Sequence, residues 1–219
     1  MRIDIWSDLV CPWCYVGKRR FEQALAAFEH SDAVEVVHRS FQLNPSAPKG
    51  ETAPRRDVLK AKYGLTDAQA DQMDAKMERT AAEAGLEYHL AGGLTGNTFD
   101  AHRLLHLARD RGLQDAAIER FYRAYFTERR SLFDRESLVT LAVEAGLTRQ
   151  EVQSVLEGDA YADAVKADGE EARAAGANGV PFYVIDGRYA VSGAQPAHVF
   201  VETLARAWAD SHVPDQITR

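Results

Sequence analysis

The sequence predicts an α/β protein in which strands and helices from the two ends of the chain enclose a block made of helices alone. Three observations lead to this. A strand-like start runs into an amphipathic helix and a second β-branched segment. Gly-Leu pairs at positions 64, 85, 112 and 146 punctuate the middle of the chain, and an Asp-Gly pair near the end separates two more strand-like runs ahead of a last amphipathic segment.

Taken in order, Ile3–Ser7 reads as a strand and is followed by a short turn. Pro12 then suits the first turn of a helix, where its missing N–H would be unpaired anyway. Phe21, Leu25 and Phe28 continue that helix as an apolar stripe. The segment 34–43 is β-branched enough for a second strand, and the Pro-rich, polar stretch Asn44–Arg56 reads as a linker. From about Thr52 to Gly176 the chain predicts helix after helix. Gly64-Leu65, Gly85-Leu86, Gly112-Leu113 and Gly146-Leu147 have the form of Schellman stops, with a left-handed glycine and an apolar residue folding back. Thr66 with Gln69, and Thr148 with Glu151, have capping-box spacing. Val180–Ile185 and Arg188–Ser192 flank Asp186-Gly187, the pair expected of a two-residue hairpin. Pro181 must sit at the beginning or edge of its strand, having no N–H for a ladder. Ala197–Ala209, with Val201, Leu204 and Trp208, predicts a closing amphipathic helix.

Composition bounds the function. With 219 residues the chain buries enough surface for a core without staples, and 46% hydrophobic with 27% charged residues is the balance of an ordinary globule. The net charge of −7 has the wrong sign for nucleic acid or an anionic membrane. Nothing approaches the ~20 apolar residues of a membrane span, and the first residues read as a strand rather than an export signal, so the expected location is the cytoplasm. The basic pairs Arg55-Arg56 and Arg129-Arg130 read as solvated surface.

The two cysteines, Cys11 and Cys14, stand in Cys-Pro-Trp-Cys. As a staple they would do little: a ring of about four residues gives only ~2 kcal/mol, against ~4.7 for a hundred-residue loop. Structural zinc needs four ligands, and His102 with His106 lies far outside the usual interval, so no metal is expected. A redox pair fits better. Cys11 falls where it caps the helix, and the unpaired N–H groups and dipole there favour a thiolate. That makes Cys11 the attacking sulfur and Cys14, one turn further in, the resolving one. Asp8, a carboxylate just before the helix, works against this.

Other conspicuous residues have plainer readings. His102 and His106 share a helix face, which suits polar or interfacial histidines as well as a cleft lining. Gly92–Asn97 lacks the lysine of a phosphate loop and reads as a loop ending in an Asn97 or Thr98 cap. Met73 and Met77 read as core packing. Trp13, between the cysteines, is expected to be exposed and to shape substrate contact.

A strand, Cys-Pro-Trp-Cys opening a helix, a second strand, and a late hairpin entered through Val180-Pro181 together resemble a thioredoxin fold interrupted by a large inserted all-helical domain. That is the arrangement of the DsbA-type oxidoreductases. The blocks Ser7–Gly17, Phe41–Pro45, Asn97–Arg103 and Gly193–Pro196 are similar to the FrnE group of that family. The resemblance implies a thioredoxin-like part of residues 1–45 with 176–219 and a helical insert of residues 46–175. It implies that Cys11 is the nucleophile, that Cys14 resolves a mixed disulfide, and that Pro181 is cis and shapes the site together with Pro12 and Trp13. Val180, whose backbone pairs with an extended substrate in the family, is a candidate substrate contact, as are His102 and Asn97.

No tightly bound cofactor is implied; glutathione or another dithiol is the expected redox co-substrate, and the partners are a thiol or disulfide, protein or small molecule. In a cytosolic poise of roughly −220 to −320 mV a strongly oxidising couple rests reduced, so a reductase, isomerase or peroxide-responsive role is expected before net disulfide formation. The competing reading is the related branch of glutathione-dependent 2-hydroxychromene-2-carboxylate isomerases and kappa-class transferases, where the position of Cys11 is typically serine. A ligand-binding or chaperone-like protein with an incidental cysteine pair is the third.

Overall fold

Ile3 and Ile5 point from one side of the first strand and Trp6 from the other, all of them buried, so this strand is covered on both faces. The computed structural model describes residues 1–211; residues 212–219 of the predicted 176–219 segment lie outside the described residues. The strand is β1 (Arg2–Ser7), followed by α1 (Pro12–Ala26) and β2 (Glu35–Ser40). The chain closes with β5 (Phe182–Ile185), β6 (Tyr189–Ser192) and α9 (Ala197–Ser211). The four strands form one sheet in the order β2-β1-β5-β6. β1 and β2 are parallel, with Arg2 opposite Glu35, and β5 runs antiparallel to β1, with Ile3 opposite Ile185. This is a thioredoxin fold with a helical insertion, an α/β architecture.

Between β2 and β5 come β3 (Thr52–Pro54), α2 (Arg55–Tyr63), α3 (Asp67–Glu83), β4 (Leu94–Gly96), α4 (Phe99–Asp110), α5 (Gln114–Phe126), α6 (Arg135–Glu144), α7 (Arg149–Glu157) and α8 (Ala162–Ala174). The four Gly-Leu pairs expected to end helices are Schellman stops: Gly64, Gly85, Gly112 and Gly146 have positive φ, and each following leucine N–H reaches back five residues, as Leu86 does to Ala81 O at 2.9 Å. Thr66 and Gln69 make the reciprocal capping box at the start of α3, Oγ1 accepting from Gln69 N–H at 3.3 Å and Oε1 from Thr66 N–H at 2.9 Å. Thr66→Ala is expected to lower stability by about 1 kcal/mol, read as an earlier urea midpoint that Thr66→Ser restores. An unchanged midpoint would mean that α3 starts unaided.

Four readings need correction. The linker 44–56 and the loop 92–97 are not featureless, because Thr52–Pro54 pairs antiparallel with Leu94–Gly96. Three-residue strands are too short to show alternation, and Pro54 masks one of them. Arg55 is buried rather than solvated: it opens α2 and pairs with Asp74 of α3, which removes the charge penalty that the arginine pair suggested. The hairpin loop between paired Ile185 and Tyr189 spans three residues, 186–188, with Asp186 and Gly187 both at positive φ.

Two cores meet at α1. Phe21, Ala24 and Phe28 pack on Ile3, Ile5, Tyr183 and, from α9, Phe200 and Leu204. On its other side Cys14, Tyr15 and Val16 enter the core of the helical block, beside Tyr122 and Phe126. Tyr15 stacks on Tyr122 at 4.8 Å, its hydroxyl donates to Glu119 at 2.5 Å, and the buried Lys18 pairs with Asp115 at 2.8 Å. No helix among the described residues is long and apolar enough to cross a membrane.

Candidate active site

Cys11 is the N-cap of α1, in extended backbone at φ −85°, with Pro12 at the first helical position. Its N–H donates to Asp8 O at 3.1 Å and its carbonyl accepts from Cys14 N–H at 3.0 Å, which closes the turn tightly. Both cysteines are thiols and nearly buried, at 5% and 2% exposure, while Trp13 between them is 44% exposed. Burial first, then the hydrogen bond and charge of Cys11, push the Cys14 thiol well above its ordinary range.

The second wall is distant in sequence. The Val180-Pro181 peptide is cis, and the Cys11 thiol donates to the Val180 carbonyl at 3.4 Å. Pro181 O in turn accepts from Gly193 N–H at 2.8 Å. This approach requires Gly17 in α1, since a Cβ there would lie 2.6 Å from Tyr183 Oη and 2.9 Å from Pro181 Cγ. Gly17→Ala would ordinarily strengthen a helix by up to ~1 kcal/mol. Here Tyr183 is fully buried and cannot swing aside, so the expected result is a loss of roughly 1–3 kcal/mol in urea denaturation, with the Pro181 turn displaced from Cys11. A variant as stable as the parent would show slack in this turn.

Asp8 stays beside the cysteine pair at the cleft, and its charge adds to what raises the Cys14 thiol, so the conflict that the sequence suggested persists. Its buried carboxylate accepts from Leu43 N–H at 2.7 Å and lies 3.3 Å from His102 Nε2. His102 is therefore a buried support behind Asp8 and does not line the cleft. His106, its neighbour on α4, joins Asp168 and Ser40 instead, each at 3.1 Å. Asn97 does not line the cleft either: its side-chain oxygen takes the Phe99 N–H at 2.8 Å, capping α4, and its amide holds Ala47 O at 2.6 Å. Among the described residues no three His, Cys, Asp or Glu side chains are grouped to hold a metal ion.

Cys11, Pro12, Trp13 and Val180 come together at the floor of a cleft of about 1350 Å³, between the α2–α3 pair and the loops around Leu43 and Thr95. Of the seven exposed large hydrophobic side chains among the described residues, five line it: Trp13, Leu43, Val58, Tyr63 and Met73. Met77 belongs to the core and also reaches the cleft, whereas Met73 is a wall residue rather than core packing. The sequence reading missed Gly17, Arg55 and the cleft-lining side of α2. An isolated glycine within a helical stripe was the available signal for the first; the others depend on which helices face each other.

The chain matches the family model of DSBA-like thioredoxin domains over residues 2–205. It is 52% identical to a probable DsbA oxidoreductase of Streptomyces coelicolor, whose crystal structure superposes with a TM-score of 0.94, covering 100% of this chain and 94% of that one. The uncharacterized protein YwbO of Bacillus subtilis is 29% identical over 94% of this chain and 96% of its own. The cytosolic disulfide reductase DsbM of Pseudomonas aeruginosa, 18% identical, shares the fold with a TM-score of 0.63 over 94% of this chain and 99% of that one. With the match spanning nearly the whole chain and Cys11 at the helix N-cap on the cleft floor, Cys14 one turn inside, this protein belongs to the DSBA-like, thioredoxin-fold oxidoreductase family.

Proposed function

We propose that the protein is a dithiol–disulfide oxidoreductase in which Cys11 attacks and Cys14 resolves, working in the cytoplasm as a reductase or isomerase. The observation that carries this is the placement of Cys11: a helix N-cap whose sulfur reaches the Val180 carbonyl, on the floor of an apolar cleft, with the second thiol one turn inside. The helix end favours the Cys11 thiolate. That thiolate attacks one sulfur of a substrate disulfide, the other sulfur leaves as a thiolate, and a mixed disulfide forms. Deprotonated Cys14 then attacks Cys11 Sγ and expels the second substrate thiolate. The substrate has gained two electrons and the protein holds a Cys11–Cys14 disulfide. Two thiols of a small reductant such as glutathione reverse this and leave as their own disulfide; the fold-sharing DsbM, solved also with GSH, suggests this partner.

The apolar lining favours substrates that present apolar groups beside the disulfide, with Val180 offering its backbone to an extended segment. The test is an equilibrium titration in graded reduced and oxidised glutathione, with free thiols alkylated and counted on the intact protein by mass. A reversible two-thiol transition supports the reading, and its position against the cytosolic poise gives the direction of catalysis. Absence of a Cys11–Cys14 disulfide at every ratio, with glutathione bound noncovalently, would replace it with the glutathione-dependent isomerase or transferase reading.

A further inference from the structure

Tyr88, between α3 and β4, donates its hydroxyl to the Pro12 carbonyl at 2.8 Å. The carbonyl belongs to the first turn of the redox helix, whose own ladder offers it the N–H of Val16. A second donor, brought in from the helical block, is not needed to satisfy it. The other end of the same peptide unit is the Trp13 N–H. With Cys11 at the N-cap, Trp13 is the second helical residue, and the N–H groups of the second and third positions are those an N-cap side chain accepts from. The third, Cys14 N–H, is already given to Cys11 O. In the thiol form Cys11 makes no capping bond and donates to Val180 instead. Once ionised it can only accept, and Trp13 N–H is the free donor at hand.

We propose that Tyr88 is a positioning residue for the Cys11 thiolate: its hydroxyl holds and polarises the Pro12–Trp13 peptide unit from the carbonyl end, so that the N–H end is a stronger, better-aimed donor to sulfur. Hydrogen bonds in series strengthen one another in this way. The placement is rigid. Tyr88 is 5% exposed and stacks on Phe126 at 4.5 Å, and its neighbours are tied down by His89 N–H to Phe126 O at 2.7 Å and Thr127 Oγ1 to Glu87 O at 2.6 Å. The other titratable groups around the cysteine pair are Asp8 backed by His102, Tyr122 of α5 and Tyr183 of β5. Tyr88→Phe leaves all of them, and the stacked ring, in place.

This inference deepens the proposed function and rests on it. The test measures the pH dependence of iodoacetamide alkylation, whose first phase reports Cys11, and the equilibrium with glutathione above the Cys11 transition. Tyr88→Phe is expected to move the alkylation curve to higher pH, with roughly threefold less thiolate below the transition, and to shift the equilibrium about threefold toward the disulfide, a fraction of one net hydrogen bond. Thr127→Val, which loosens the same segment without touching Pro12, is expected to lower stability and leave both readings unchanged. An unmoved curve in Tyr88→Phe, or an equal shift in Thr127→Val, overturns the assignment. A parent protein that forms no disulfide overturns the proposed function instead, and the alkylation curves still decide the role of Tyr88.

Discussion

Cys11→Ala is expected to abolish disulfide turnover, by on the order of a thousandfold or more, while Cys14→Ala is expected to complete the first step and stop there as a mixed disulfide. The asymmetry follows from geometry. Cys11 sits at the helix end on the cleft floor, whereas Cys14 is inside the core shared with the helical block. Burial and the neighbouring Cys11 keep the Cys14 thiol protonated. In the mixed disulfide the charge of Cys11 is gone while burial and the Asp8 charge still oppose ionisation of Cys14, so release in the parent protein is expected to quicken as pH rises. Mass spectrometry after mixing with a small disulfide reads all of this. No turnover in the parent protein, with ligand binding unaffected in both variants, would move the protein to a binding role.

Asp168→Ala is expected to cost about 3–5 kcal/mol at neutral pH, the usual result of leaving buried partners without their counter-charge. Asp168, 3% exposed on α8, accepts from Ser40 N–H at 2.8 Å and Arg39 Nη1 at 3.0 Å and meets His106 at 3.1 Å. It thereby ties the helical block to β2, the edge strand of the sheet. Burial raises its carboxyl pKa, but the contacts to His106, Ser40 and Arg39 outweigh that and hold it below the ordinary value. A depressed folded pKa means that the contribution is full above the unfolded value of ~3.9 and is lost as pH falls through the folded one. The gap between parent and variant in urea denaturation should therefore be widest near pH 7 and shrink below about pH 4. Asp4 and Glu171 also face Arg39 and soften the loss on that side. A gap under about 1 kcal/mol, or one indifferent to pH, would show that the burial is not electrostatically demanding.

What the amino-acid sequence determined by itself is local. The strand of β1, the proline-led helix start at Cys11, the four glycine stops and the capping pairs each depend on a few neighbouring residues, because backbone donors and acceptors at helix ends must be satisfied nearby. They were legible for that reason, and the motif order carried the family with them. Tertiary structure decided the rest. Val180 meets Cys11 only after the sheet has formed and Gly17 has let the Pro181 turn in. Arg55 is buried because Asp74 faces it, not because of anything in its own segment. His102 and Asn97, alike in looking like cleft residues, turn inward to hold Asp8 and the loop at Ala47. Which side of a polar group meets water is set by packing between elements far apart in sequence, and period and propensity carry no record of that partner.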